Sequence, residues 1–145
     1  MLKDTVYLGH TLYNANFEML IEEPTGNGFF KYNVNLEPDI EITEITTETD
    51  SKHKLIRLNA STKAYGFLGD ESNPEEYEEV YRLKLRFCMN FEYSNDKASI
   101  ETLVDENQWF FENYAFMASK EIASSIIKHN PVLVNTYFPP HRTTD

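Results

Sequence analysis

The sequence is poor in the residues that build disulfides and metal sites. It has a single cysteine, Cys88, and only four histidines. One thiol excludes an intramolecular disulfide, which fits a reducing compartment. The histidines are scattered along the chain, and none has a partner at a metal-ligand spacing. We therefore expect neither a metal site nor a cofactor.

Long hydrophobic runs and phosphate-binding loops are also missing. No stretch approaches the roughly 20 apolar residues that cross a bilayer, and the first residues lack the pattern of a signal peptide. The segment Gly26-Asn27-Gly28 lacks the spacing and the lysine of a P-loop, so it predicts a turn. No nucleophile, base and orienting group cluster along the chain. We expect a cytoplasmic protein that is not an enzyme and does not insert into a membrane.

Positive charge is scarce. Lysine and arginine number 13 against 24 acidic residues, a net charge of −11. Such a chain is repelled by phosphate backbones and anionic lipids, so nucleic acid is not an expected partner. Basic or unfolded proteins are better partners. The alternative is that the charge serves solubility alone.

Aromatic residues, in contrast, are plentiful. Ten Phe, nine Tyr and one Trp are more than one compact core of this size needs. Some of this ring area is expected at the surface or in a subunit contact. The alternative is a core that happens to use large residues.

The chain is predicted to be one domain, residues 1–145, that begins with four strands. Alternating apolar and polar residues define each strand, most clearly the fourth, where Arg82, Lys84 and Arg86 occupy the polar face. A parity change at residues 13–16 predicts a bulge in the first strand. Pro38 predicts that the second strand is an edge or is interrupted. The predicted strands span residues 5–21, 29–45, 54–68 and 80–93.

A change of period after the fourth strand predicts a helix. Asp105 suits the N-cap, with Gln108 in capping-box register. An apolar stripe follows at helical spacing, and Pro131 predicts an end near His129. The fold class is therefore α+β: a four-stranded antiparallel sheet followed by one long helix packing on it.

Short motifs resemble the SecB family of protein-export chaperones. They are Asn16-Phe17-Glu18, Asn113-Tyr114-Ala115 and Thr136-Tyr137-Phe138-Pro139-Pro140, and the resemblance spans roughly residues 5–140. It implies a homotetramer, a dimer of dimers, that holds unfolded preproteins without ATP and passes them to SecA. The clients would lie in apolar grooves between sheet and helix. Some relatives protect an antitoxin instead.

The sequence departs from the family pattern in three ways. The helix reaches the Phe-Pro-Pro motif later than in the family, and no second helix follows this motif. Family members also dock SecA through an acidic sheet surface, whereas the fourth strand here presents Arg82, Lys84 and Arg86. The acidic residues of the second strand can compensate, and they can pair with these basic residues if the two strands are neighbours.

These observations predict an ATP-independent holdase that binds unfolded polypeptide on aromatic surface. For each aromatic residue the alternative is a place in the core or in a subunit contact. A dedicated adaptor, for an antitoxin or a phage protein, is the first rival. A small α+β enzyme is the second, although the sequence shows no residues for the polar pocket that it needs. The predicted client-binding residues are Phe29, Phe30, Trp109, Phe110, Phe111, Tyr114 and Phe116.

Overall fold

A computed structural model describes six parts of the chain, residues 2–21, 28–46, 52–70, 72, 77–95 and 99–127. A short 3-10 turn, Leu2–Asp4, precedes the sheet. The predicted α+β class is confirmed, and every strand boundary lies within two residues of its predicted position. The elements are β1 (Thr5–Met19), β2 (Gly28–Thr46), β3 (Lys52–Leu68), β4 (Glu78–Tyr93), α1 (Ile100–Glu106) and α2 (Gln108–Ile127).

The four strands form one antiparallel sheet in the order β1-β4-β3-β2. β4 and β3 are central, which explains why they alternate most strictly between buried and exposed residues. β2 and β4 are not neighbours, yet Arg86 on β4 reaches across β3 to Glu37 on β2, with Nε 3.1 Å from Oε1. The expected pairing of acids and bases therefore occurs here over the intervening Ser61, which lies opposite Arg86.

Two irregularities of the sheet fall where the sequence predicted them. The β2–β3 ladder breaks between Leu36 and Ile40, around Pro38, and β2 is also an edge strand. The β1–β4 ladder shifts between Leu12 and Asn14, as the parity change predicted. A second shift between Tyr7 and Gly9 was not predicted. Gly9 has φ +118°, a conformation that residues with a Cβ rarely adopt.

The predicted long helix is present as α2, but it starts at Gln108 instead of Asp105, and a separate short helix, α1, precedes it. Ser99 is the N-cap of α1, because its hydroxyl accepts a hydrogen bond from the Thr102 N–H. The predicted N-cap, Asp105, lies inside α1. Asn107 then ends α1, because its side-chain amide donates to the Leu103 carbonyl at 2.8 Å. Its own carbonyl accepts from the Phe110 N–H, so the same residue starts α2. The predicted end near residue 129 lies outside the described residues.

The core lies between one face of the sheet and α2. Small residues, Ala115, Ala118 and Ala123, are fully buried along the helix, so its backbone lies close to the sheet. Phe111 and Ile122 are large side chains of the same helix that are also buried. Full burial of one such large side chain contributes about 1.5–3 kcal/mol. The opposite face of the sheet, called the outer face below, carries no helix of the described residues.

Candidate functional site

Five aromatic rings from three elements form a cluster at the start of α2, called the Phe91 cluster. Phe91 on β4 lies at its centre, with ring centroids 5.1 Å from Phe111 and 5.5 Å from Tyr114. Tyr7 on β1 lies 4.6 Å from Tyr114. Phe110 lies 5.1 Å from both Phe111 and Tyr114. Most of these contacts are edge-on or tilted, the geometry that aromatic pairs favour.

The solvent exposure of the side chains differs across the Phe91 cluster. Phe91 and Phe111 are completely buried, while Phe110 and Tyr114 are half-buried. Trp109 packs edge-on against Phe110 and remains 61% exposed. Phe111 therefore belongs to the core and is not available to a client. Trp109, Phe110 and Tyr114 form the accessible rim.

The rim continues along α2 through a residue that sequence analysis did not select as a site. Met117 is 58% exposed and lies one turn after Tyr114. The positions of Phe110, Tyr114 and Met117 place them on one side of the helix, toward β1. Met117 belongs to the apolar side of the predicted helix, but periodicity cannot show that the sheet beneath α2 leaves this residue uncovered. We call Trp109, Phe110, Tyr114 and Met117 the rim stripe.

β1 adds further exposed apolar side chains along its edge. Leu8, at the unpredicted bulge, is 51% exposed, and Leu12 is 42% exposed. Val6 and Tyr13 are exposed as well. Since β1 is an edge strand, its outward backbone groups are also available to another chain. Edge position, unlike parity, cannot be inferred from the sequence, so these residues were missed.

Phe116 lies on the other side of α2, facing β2. Its ring meets Tyr32 edge-on at 5.7 Å. A groove of about 210 Å³ separates α2 from the β2 edge at this place. Glu112 supplies a carboxylate to a lining that otherwise mixes apolar and amide groups. The groove is lined by Asn33, Val34, Asn35, Leu36, Glu112, Ala115 and Phe116.

The predicted residues Phe29 and Phe30 lie on opposite faces of the sheet. Adjacent residues in a strand point to opposite faces, a signal that was available in the sequence. Phe30 packs toward the core. Phe29 stacks on Phe67 at 5.0 Å on the outer face, with Tyr77 edge-on at 5.3 Å. The seven predicted residues are thus divided among the Phe91 cluster and its rim, the α2–β2 groove, the core and the outer face.

Tyr7, which packs against Tyr114 of the rim stripe, is held in its neutral form. The Tyr7 hydroxyl lies 3.1 Å from Nδ1 of His10, within hydrogen-bond distance. Burial raises the pKa of Tyr7, and the Glu121 carboxylate adds to the rise. Among the described residues, no group of three or more His, Cys, Asp or Glu could hold a metal ion. The chemistry that this surface offers is apolar contact.

Comparison with solved structures finds a structural likeness. No family model matches the chain, and no curated protein matches it. A solved structure of the Mycobacterium tuberculosis SecB-like chaperone Rv1957, in complex with a ChAD peptide from the HigA1 antitoxin, aligns with a TM-score of 0.49 and 10% identity. The alignment covers 99% of this chain and 94% of that one. Few side chains are shared at this identity, so the site is judged by its own residues.

The described helices offer no segment that is both long and apolar enough to cross a bilayer.

Proposed function

We propose that this protein is an ATP-independent chaperone that holds unfolded polypeptide on the rim stripe of α2. The observation that supports this proposal most directly is Trp109, a large ring 61% exposed at the edge of a packed aromatic cluster. Scattered exposed hydrophobic residues are common on protein surfaces, but a contiguous apolar surface marks a binding site. The rim stripe joins exposed and half-buried apolar residues along one helix.

The types of residue in the rim stripe suit many different clients. Met117 has a flexible thioether that adapts to irregular partners. Trp109 and Tyr114 provide large apolar areas at a small cost in side-chain entropy. No charged residue interrupts the stripe between positions 109 and 117 on this side of the helix. A surface of this kind selects for apolar content instead of one sequence.

We also propose that the protein works as a homo-oligomer, a dimer of dimers as the resemblance to SecB implies. The exposed Val6, Leu8 and Leu12 on the β1 edge are candidates for a subunit contact, since edge strands pair readily with another chain. Solution mass measurement by light scattering is expected to give a tetramer. A monomer at micromolar concentration would remove this part of the proposal.

Aggregation of a chemically unfolded client, followed by light scattering, tests the chaperone activity. The protein is expected to suppress aggregation without nucleotide, and the double variant Trp109→Ala/Met117→Ala is expected to lose most of this suppression. Ile42→Ala is the matched control, because Ile42 is an exposed apolar residue on β2. Equal suppression by both variants would show that the rim stripe does not bind clients.

A dedicated adaptor is the second candidate function, and the α2–β2 groove favours it. Its Glu112 carboxylate and the edge backbone of β2 at residues 33–36 offer fixed hydrogen-bonding groups that can specify one peptide sequence. In a competition experiment, unrelated unfolded proteins would displace a client from a general holdase but not from an adaptor. Delivery to SecA is left out of the proposal, because β4 presents Arg82, Lys84 and Arg86 on the outer face.

A further inference from the structure

Two lysines face each other at the middle of the outer face. Lys63 on β3 lies directly opposite Lys84 on β4, and both side chains are exposed. Neither forms an ion pair with another of the described residues. The three arginines of this face, in contrast, are each paired with a carboxylate. These pairs are Arg57–Glu41, Arg82–Glu79 and Arg86–Glu37.

The opposed lysines belong to a row that crosses all four strands. Asn16 on β1 lies opposite Lys84, and Asn33 on β2 lies opposite Lys63. With neighbouring strands about 4.8 Å apart, the row extends about 14 Å. It contains two cations and two amides but no carboxylate. We call Asn16, Lys84, Lys63 and Asn33 the lysine row.

The lysine row is unfavourable for the isolated protein. Like charges directly opposite each other on neighbouring strands are destabilising. An acidic residue at position 63 or 84 would pair with the remaining lysine. Acidic residues are abundant in this chain, which has 24 of them. Destabilising arrangements of this kind are common at functional sites, because a bound partner offsets the cost.

We propose that the lysine row binds an acidic, extended segment of a partner protein. Carboxylates complement both ammonium groups, and the Asn16 and Asn33 amides can donate further hydrogen bonds to them. Alternate side chains of an extended segment lie on one face about 6.8 Å apart, so two acidic residues can contact the row together. In this arrangement, the negative charge of the partner directs it to the outer face, which no helix of the described residues covers.

Nucleic acid fits the lysine row less well. Binding of a phosphate backbone rests on several neutralised phosphates, and the row supplies two unpaired cations. The net charge of −11 also repels a polyanion as long as DNA at a distance. A short acidic segment is subject to less of this repulsion than a long polyanion, because it carries fewer charges.

Fluorescence anisotropy with a labelled ten-residue glutamate peptide tests the proposal. The intact protein is expected to bind this peptide more tightly at low salt, since exposed ion pairs are screened. Lys63→Glu is expected to weaken binding at least tenfold. This substitution places a carboxylate opposite Lys84, so the melting temperature is expected not to fall, and lost binding cannot then be attributed to unfolding.

Lys120→Glu is the matched control, since it makes the same charge change at an exposed position on α2. It is expected to keep peptide binding within about twofold of the intact protein, because Lys120 is remote from the outer face and exposed charges interact weakly. Failure of the intact protein to bind the peptide, or retained binding by Lys63→Glu, would overturn the proposal. So would an equal loss with Lys120→Glu, or tighter binding of a ten-nucleotide single-stranded DNA.

The lysine row is separate from the rim stripe, which lies on α2 at the other face of the sheet. Lys63→Glu is therefore expected to suppress client aggregation as well as the intact protein does. The two proposals can consequently fail independently of each other.

Discussion

Thr62 on β3 and Ser119 on α2 share a buried hydrogen bond, with Oγ1 and Oγ 2.8 Å apart. Both side chains are almost completely buried. They are the buried polar residues of a contact made otherwise by apolar side chains. Because this hydrogen bond is directional, it determines the position of α2 along the sheet. Apolar packing alone defines that position less precisely.

Removal of one partner of this bond is expected to cost more than removal of both. Thr62→Val keeps the shape of the side chain but leaves the Ser119 hydroxyl buried without a partner, at a cost of about 1–3 kcal/mol. The double variant Thr62→Val/Ser119→Ala is expected to recover part of this loss. Urea denaturation measures both variants. A double variant less stable than Thr62→Val would contradict the account.

Gly66 is expected to tolerate no side chain. A Cβ at this position would overlap the ring of Tyr81, which lies opposite on β4. Gly66→Ala is therefore expected to destabilise the protein by about 1–3 kcal/mol, the usual cost of overpacking a core. Thermal unfolding gives the measurement. In a Tyr81→Leu background the same substitution should cost less, and an equal cost in both would exclude the ring as the cause.

Tyr81 is expected to make the protein sensitive to alkaline pH. Burial raises the pKa of Tyr81 to about 12, from 10.0 in an unperturbed tyrosine. Between these two values the unfolded chain loses a proton that the folded protein keeps, so the free energy of unfolding falls as pH rises. The contribution is fully present below pH 10 and amounts to about 3 kcal/mol for two pKa units.

Comparison of the intact protein with Tyr81→Phe isolates this contribution. Denaturation midpoints measured from pH 9 to 12 should decline less steeply for Tyr81→Phe, which has no proton to lose at this position. The Tyr81 hydroxyl also has no hydrogen-bond partner among the described residues, so the substitution should not destabilise the protein at pH 7. Parallel declines in the two proteins would assign the alkaline loss to other tyrosines.

Two neighbouring aromatic residues of α2 are expected to differ sharply in their effect on stability. Phe111 is completely buried, and Phe111→Ala should cost about 3–5 kcal/mol. Trp109 is mostly exposed, and Trp109→Ala should change the free energy of unfolding by less than about 1 kcal/mol. Guanidinium denaturation compares the two. A large loss from Trp109→Ala would mean that this ring is structural, and the rim stripe would lose its main residue.

Local patterns in the sequence predicted the strands well for a physical reason. Alternation places every second residue on one face, so the buried residues of β4 and the exposed Arg82, Lys84 and Arg86 follow from parity alone. The helices were predicted less well. α1 has only a short apolar pattern, and Asn107 combines the end of one helix with the start of the next.

The candidate site was predicted in part. Trp109, Phe110 and Tyr114 lie together on the rim of α2, as a cluster of nearby aromatic residues indicated. Phe111 is buried and Phe29 faces away from the helices, while Met117 was not selected as a site residue. Periodicity identifies which residues share a face of α2, but the width of the sheet below decides which of them stay exposed.

The sequence by itself determined the strands, their two faces, the bulge in β1 and the interruption at Pro38, because each depends on the geometry of neighbouring residues. Only the tertiary structure decided that β4 lies between β1 and β3, and with it the opposition of Lys63 and Lys84 and the contact of Thr62 with Ser119. Those relations join residues far apart in the chain. They depend on which strand edges pair and where α2 packs on the sheet, and the packing of the whole chain determines both.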